Sequence, residues 1–122
     1  MQRDNDCLFC KMISGAITVS KLYEDESYIC IQDIHPQSKV HLLVIPKEHI
    51  SSLAEVFPES LQANPALVGG LFKAAAQIAR EQGLLPGGFR SVINTGGDAG
   101  QTVFHLHLHV LGGEPMKGRF GS

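Results

Sequence analysis

Residues 105–111 of this chain read HLHLHVL, a strict alternation of imidazole and aliphatic side chains. In a β-strand, side chains two positions apart lie on the same face. The alternation therefore predicts a strand, which we place over Val103–Leu111. His105, His107 and His109 would share one face roughly 6–7 Å apart, with the aliphatic groups in the core. All three rings could then reach one phosphate-sized group, and this alignment of titratable rings favours function over packing.

The segments before this strand predict two main helices. After Asn64-Pro65, a long helix should run up to Gly83. Its apolar face would comprise Leu67, Leu71, Phe72, Ala75, Ile78 and Ala79. A short helix is predicted over Cys7–Ser14, with Asp6 as its N-cap and Gly15 as its C-cap. Ser51 or Ser52 could cap one further helical turn.

Four other segments predict strands, each bounded by turn-forming residues. They are Lys21–Glu24, Tyr28–Asp33, His41–Ile45 and Phe89–Asn94. The segment His41–Ile45 (HLLVI) is too apolar for an exposed edge and should lie inside the sheet. Strands clustered around one long helix and linked by short turns indicate an α+β domain with a mostly antiparallel, five-stranded sheet.

Size and composition restrict the class of protein. With 122 residues, 43% of them hydrophobic and 18% charged, the chain fits one soluble globular domain spanning 1–122. A formal net charge of −2 without Lys/Arg runs argues against nucleic acid as a partner. The polar start and the lack of a long apolar stretch predict a cytoplasmic protein without a membrane partner. Three cysteines argue against a disulfide framework.

The triad has its own chemical logic. A neutral imidazole attacks phosphorus at neutral pH if its other nitrogen is protonated and held by an acceptor. His107 has a histidine on each side and is the natural nucleophile, while His109 can donate to a phosphate oxygen or to the leaving group. The preceding loop NTGGDAGQT (residues 94–102) offers backbone amides and side-chain donors to an anion, although such a segment is more often a plain connection.

The motif HLHLHVL, read as His-φ-His-φ-His-φ-φ, resembles the signature of the histidine triad (HIT) superfamily of nucleotide hydrolases and transferases. The segments YEDE, DIHPQ and HLLVIPKEHI also resemble the family and occur in its order, so that the resemblance covers most of the chain. The continuation Gly112-Gly113 resembles the Hint branch, the histidine triad nucleotide-binding proteins and purine nucleoside phosphoramidases. The dinucleoside polyphosphate hydrolase branch usually has Pro-Arg there.

This resemblance implies a homodimer with a continuous sheet. It also implies hydrolysis of purine nucleoside 5′-phosphoramidates or acyl nucleotides, derivatives of AMP or GMP, through a nucleotidyl-histidine intermediate. His107 would be the nucleophile, and His109 and Thr102 would complete the catalytic set. Asn94, Gly100, Gln101 and Thr102 would contact the phosphate or position the leaving group, and Asp33 would hold the ribose hydroxyls. The slot for the purine would consist of Leu8, Phe9, Met12, Ile31 and Ile34, each of which could equally be plain core.

The pair Cys7 and Cys10 suggests a metal site, because residues three apart on a helix point the same way. A lone C-x-x-C supplies only half of a tetrahedral set. The resemblance implies a structural zinc completed by the histidine of the PKxH segment and the first triad histidine, here His49 and His105. The chemistry itself would need no cofactor. Two reduced thiols or a thioredoxin-like redox pair are the alternatives.

Two other functions remain open at this point. The chain could be a nucleotide-binding scaffold in which hydrolysis is incidental. It could instead be a dinucleoside polyphosphate hydrolase, against which Gly112-Gly113 argues mildly. His41 opens a buried strand beside the site, where it could hydrogen-bond another histidine or serve the structure alone.

Overall fold

A computed structural model describes residues 6–59 and 63–116. The helices are α1 (Leu8–Ser14), α2 (Leu53–Val56) and α3 (Pro65–Glu81), and a 3₁₀ turn spans Gly97–Ala99. The strands are β1 (Tyr23–Glu24), β2 (Tyr28–Gln32), β3 (Val40–Pro46), β4 (Phe89–Val92) and β5 (Leu108–Gly112). None of the helices in the described residues is long and apolar enough to cross a membrane.

The five strands form one sheet in the order β1-β2-β3-β5-β4, and every neighbouring pair is antiparallel. The predicted α+β class and five-stranded sheet are confirmed. The apolar β3 lies at the centre, as its composition predicts. Leu43 pairs with His109 and Val44 with Leu108, so the alternation along β5 matches that along β3.

One face of the sheet packs against α3 and holds the larger part of the core. Cys30, Leu42, Leu108 and Val110 meet the buried face of the helix there. The buried residues of α3 are Leu67, Leu71, Ala74, Ala75, Ile78 and Ala79. The expectation that Phe72 belongs to this face is wrong, because Phe72 is 46% exposed. Its position is one residue, or 100°, beyond Leu71, which turns the ring to the margin of the apolar stripe.

The other face of the sheet packs against α1 and includes His109, the cross-strand partner of Leu43. Phe9, Ile31 and Leu43 belong to a second cluster of buried side chains there. Gly15 ends α1 with φ of 88°, which confirms the predicted C-cap. The N-cap is Cys7, not Asp6 as predicted, and its sulfur accepts a hydrogen bond from the Cys10 amide. The N-cap Ser52 of α2 is confirmed in the same way, with Ala54 as the donor.

The strand of the histidine triad is shorter than predicted. It begins at Leu108 rather than Val103, so that His105 and His107 precede the ladder. Continuing the register would bring Leu106 opposite Pro46, which has no N–H to donate. The Leu106 amide donates instead to the Ile50 carbonyl, at 2.7 Å. The predicted strands β1, β2 and β4 likewise lose one or two terminal residues.

Gly70→Ala should destabilise the fold, because a β-carbon there would overlap the hydroxyl and ring of Tyr28. Tyr28 is buried, and its hydroxyl donates a hydrogen bond to the Leu67 carbonyl at 2.7 Å. Overpacking of this kind costs about 1–3 kcal/mol in the free energy of unfolding, measured by urea denaturation. The matched control is Gly69→Ala, where the added carbon meets nothing within 4 Å. That variant should gain up to about 1 kcal/mol from helix propensity, and equal effects would contradict the prediction.

Candidate active site

The orientation of His107 is fixed by the backbone. Its Nδ1 lies 2.7 Å from the His105 carbonyl oxygen. A carbonyl can only accept, so Nδ1 carries the proton and Nε2 presents its lone pair. The Phe9 ring stands edge-on to His107, with centroids 5.1 Å apart, and further limits its rotation. This is the tautomer that a nucleophilic imidazole requires.

A second chain of hydrogen bonds sets the tautomer of His109. The Gln37 amide donates to Nδ1 of His41 at 3.0 Å, so the proton of neutral His41 must be on Nε2. That Nε2 lies 2.9 Å from Nδ1 of His109, which therefore accepts. The proton of neutral His109 is then on Nε2, where it can be donated. His41, left open between two roles by the sequence, positions another histidine.

Asp33 lies at the end of this chain. Its Oδ2 is 3.4 Å from Nε2 of His41, and its Oδ1 accepts from the His35 amide at 2.8 Å. The carboxylate thus has fixed partners on both oxygens and keeps further lone pairs for a ligand hydroxyl. His107 and His109 have ring centroids 5.0 Å apart. These contacts bring together the Asp33 carboxylate, the lone pair on Nε2 of His107 and the proton on Nε2 of His109.

Burial keeps the histidines of this site neutral. It lowers the pKa of His107, which the hydrogen bond to His105 raises in part. The pKa of His109 falls to about 4, chiefly through burial and further through the neighbouring His107 and His41. Burial also lowers the pKa of His41, against the attraction of Asp33. The free site at neutral pH therefore offers lone pairs rather than cations.

The depressed pKa of His109 predicts that acid weakens the fold. The unfolded chain takes up this proton near the ordinary value of 6.5, whereas the folded chain does so only near pH 4. The unfolded state binds more protons between these values, so the free energy of unfolding falls as pH decreases through that window. Urea midpoints across the window measure the effect. His109→Gln should show a shallower fall, and the same pH dependence in both proteins would contradict the prediction.

The predicted base slot is divided between core and surface. Phe9, Met12 and Ile31 share the cluster beneath α1, next to the histidines. Leu8 and Ile34 face solvent instead, with exposed fractions of 42% and 84%. Three of the five predicted residues therefore pack together beside the histidines, whereas Leu8 and Ile34 lie at the surface.

The loop before the triad is shaped by Gln101, whose side chain is buried. Its amide nitrogen donates to the carbonyls of Ser51 and Val103 at 2.7 and 3.2 Å, and its oxygen accepts from the Gly96 amide. Both protons of the side-chain amide are therefore donated within the protein, and Gln101 stabilises the loop. This role differs from the predicted contact with phosphate. Gly100 has φ of 94°, Thr102 is exposed, and Asn94 is partly buried.

The first triad histidine belongs to a separate cluster. Fully buried, His105 donates through Nε2 to the Pro46 carbonyl at 2.7 Å, which leaves the lone pair on Nδ1. This Nδ1 lies 3.3 Å from Sγ of Cys7, 3.6 Å from Sγ of Cys10 and 3.2 Å from Nδ1 of His49. The expectation that all three triad rings reach one phosphate therefore does not hold for His105.

The spacing of these four donor atoms fits a tetrahedral zinc. Zn–S and Zn–N bonds of about 2.3 and 2.0–2.1 Å place tetrahedral ligand atoms about 3.3 Å apart for N–N and about 3.6 Å for N–S. The observed separations run from 3.2 to 3.6 Å, including 3.4 Å between Cys10 and His49. All four ligand atoms lie within 4.8 Å of one another. The residues present therefore fit a closed, structural metal site.

A second cluster of ligand-type side chains, Asp33, His41 and His109, also lies within this distance. The Gln37 amide occupies the one lone pair of His41 in this arrangement. Nε2 of His41 then carries a proton and cannot ligate. We therefore interpret this cluster as a hydrogen-bond chain and not as a metal site.

Comparison with known proteins agrees with this geometry. A family profile described as "Scavenger mRNA decapping enzyme C-term binding" matches residues 6–120. Protein HitA of Neisseria gonorrhoeae is 42% identical over 108 residues, 88% of this chain and 96% of that protein. A HIT-like protein of Synechocystis is 43% identical over 111 residues, 91% of this chain and 93% of its own length. The chain belongs to the histidine triad (HIT) family.

Solved structures share the fold. A HIT family hydrolase from Clostridium thermocellum is 43% identical with a TM-score of 0.87, covering 95% of this chain and 97% of that one. A zinc-bound histidine triad family protein from Mycobacterium smegmatis is 38% identical with a TM-score of 0.74, covering 88% and 74%. A histidine triad nucleotide-binding protein from Candida albicans is 26% identical with a TM-score of 0.74, covering 94% and 87%.

The sequence did not reveal the backbone groups that orient the rings. These groups are the carbonyls of His105 and Pro46 and the amide of Gln37. Every residue has a main-chain carbonyl, and every residue except proline has a main-chain N–H, so the residue type gives no signal. Their role depends on strand register and on where the ladder ends, which the residue pattern alone does not define.

Proposed function

We propose that this HIT protein is a hydrolase of purine nucleoside 5′-phosphoramidates and acyl nucleotides, releasing the nucleoside monophosphate. The observation that carries the proposal is the bond from Nδ1 of His107 to the His105 carbonyl, which presents Nε2 as a nucleophile. The family membership and the hydrolase among its structural relatives support hydrolysis in general. The relative named as a nucleotide-binding protein supports the ligand class.

The proposed reaction proceeds in two displacements at phosphorus. A bound anionic phosphate favours the protonated form of His109, in which Nδ1 also carries a proton and the hydrogen bond from His41 is broken. Nε2 of His107 attacks the α-phosphorus, the P–N bond breaks, and His109 gives its proton to the leaving amine. Neutral His109 then takes a proton from water, which attacks the phosphorus and releases the monophosphate and His107.

The remaining residues bind and position the nucleotide in this proposal. Asp33 accepts from the ribose hydroxyls, and the cluster containing Phe9, Met12 and Ile31 contacts the purine. Backbone amides around Gly100, with Asn94 and Thr102, contact phosphate oxygens. A zinc ion held by Cys7, Cys10, His49 and His105 would supply structural cross-linking of α1 to the sheet.

We also propose a homodimer, because β4 lies at one end of the strand order, where a second β4 could extend the sheet. Size-exclusion chromatography with light scattering tests it, and a monomer at micromolar concentration would refute it. The reduced thiols that the zinc set requires support a cytoplasmic location.

The decisive experiment is incubation with adenosine and guanosine 5′-phosphoramidates and measurement of monophosphate release. Diadenosine polyphosphates serve as the competing substrate class. We expect faster release from the phosphoramidates. Faster cleavage of the dinucleotides would favour the other branch of the family, and tight nucleotide binding without turnover of any substrate would favour a scaffold.

A further inference from the structure

One peptide unit connects the cysteine cluster with the nucleophile. The carbonyl of His105 accepts from Nδ1 of His107 at 2.7 Å, and the amide of Leu106, in the same peptide plane, donates to the Ile50 carbonyl at 2.7 Å. His105 is itself a candidate ligand of the cluster, and Ile50 directly follows the ligand His49. Both ends of this clamped peptide plane therefore depend on residues of the cluster.

The thiol pair of that cluster is built so that it can be oxidised. Cys7 is partly exposed, whereas Cys10 is buried. Cys7 is the N-cap of α1 with an extended backbone, φ of −81° and ψ of 126°, so its side chain can turn without breaking a helical turn. The Cys10 amide donates to its sulfur at 3.4 Å, which turns the Cys7 side chain toward Cys10. The two sulfurs lie within 4.8 Å of each other.

We propose that Cys7 and Cys10 are an oxidative modification site whose disulfide disables His107. The Cys7 thiolate attacks hydrogen peroxide and forms a sulfenic acid with loss of hydroxide, which protonation turns into water. The Cys10 thiolate then attacks that sulfur, forms the S–S bond and expels a second water after protonation. In sum, two thiolates, one peroxide and two protons give one disulfide and two waters, and the peroxide takes up the two electrons.

The disulfide removes two of the four donor atoms from the cluster, since a disulfide sulfur is no longer a thiolate ligand. The cluster then loses its affinity for zinc, and the Nδ1 atoms of His49 and His105, only 3.2 Å apart, have no shared cation between them. The segment with Ile50 and the turn with His105 can separate. The acceptor that holds the His107 proton on Nδ1 is displaced as they do.

The experiment uses the full chain, loaded with zinc and treated with a small excess of hydrogen peroxide. A chromogenic chelator measures the released metal, and mass spectrometry measures the loss of two hydrogens per chain. Long-range ¹H–¹⁵N spectra of labelled histidine report the tautomer of His107. Turnover of adenosine 5′-phosphoramidate, the one readout that depends on the proposed function, is followed in parallel.

We expect one zinc released per disulfide, a loss of the pure Nδ1–H tautomer at His107 and a fall in kcat of about a hundredfold, the effect of a misplacement near 1 Å. Reductant with zinc should restore all three, and reductant with a chelator should not. Zinc retained in the oxidised chain would overturn the proposal. So would zinc loss that leaves the His107 spectrum unchanged, or full recovery without metal.

Two variants isolate the pair. Cys30→Ala removes the buried thiol outside the cluster and should respond to peroxide as the wild type does. Cys10→Asp keeps an oxygen ligand and cannot form the disulfide, so it should retain zinc under the same treatment. If that variant fails to fold, the comparison of reductant with and without zinc still decides. Absent turnover in the reduced, zinc-loaded protein would refute the proposed function alone, because metal release and the spectrum remain.

Discussion

His107→Ala is expected to abolish phosphoramidate turnover while leaving nucleotide binding largely intact. The variant removes the only ring whose Nδ1 is held by the His105 carbonyl and whose Nε2 is thereby directed outward in the described residues. Loss of a nucleophile lowers kcat by roughly three orders of magnitude or more. The side chains expected to bind the base and the ribose, Phe9 and Asp33, belong to other elements and keep their positions.

Steady-state release of AMP measures the turnover, and calorimetric titration with AMP measures the nucleotide binding. Wild-type protein quenched and denatured in alkali, where the P–N bond to an imidazole survives, should also carry one nucleotidyl group that the variant lacks. His35→Ala is the matched control, since that ring lies on the exposed loop after Asp33 and its backbone amide survives the change. Full turnover by His107→Ala would eliminate the covalent mechanism.

Removal of either cluster cysteine is expected to have the largest effect on stability. Cys7→Ala or Cys10→Ala deletes one of four ligand atoms that connect α1 with the β3–α2 loop and the turn before β5. A metal present at a few hundred times its dissociation constant contributes about 3–4 kcal/mol to the free energy of unfolding. In a domain of this size, its loss lowers Tm by about 10–15 °C.

Elemental analysis and thermal unfolding of the same preparations test this. The wild type should carry one zinc per chain and lose the same stability on chelation, whereas the variants should not respond to the chelator. Cys30→Ala is again the matched control, because the Cys30 thiol packs in the core next to α3 and is not one of the four candidate ligands. Its zinc content should equal that of the wild type. Chelator-insensitive unfolding of the wild type would contradict a structural metal.

The sequence predicted those parts of the fold that follow from local periodicity. Alternation in HLHLHVL placed the aliphatic groups in the core and His107 and His109 opposite, and the Asn64-Pro65 start defined α3. Prediction from the sequence failed where tertiary contacts override the local pattern. Pro46 ends the ladder before the predicted strand is complete, and the Cys7 sulfur replaces Asp6 as the cap because it is already turned toward the Cys10 amide.

Within the site, too, the residue types could be predicted from the sequence, whereas their tertiary contacts could not. The residue types and the resemblance named the cysteine–histidine set, whose donor atoms the structure brings together. The buried Gln101 was expected at a phosphate because a primary amide offers donors, but those donors meet the carbonyls of Ser51 and Val103. Which partner satisfies a buried polar group depends on residues distant in sequence, and a single sequence does not supply that distance information.

The atoms that fix the two reactive rings, the Gln37 amide and the His105 carbonyl, belong to the main chain. Every side-chain replacement at position 37 except proline preserves its donor. Alanine scanning would therefore score this position as dispensable even though it sets where a proton resides. The positions of the protons on His41, His107 and His109 are therefore insensitive to most single substitutions at position 37.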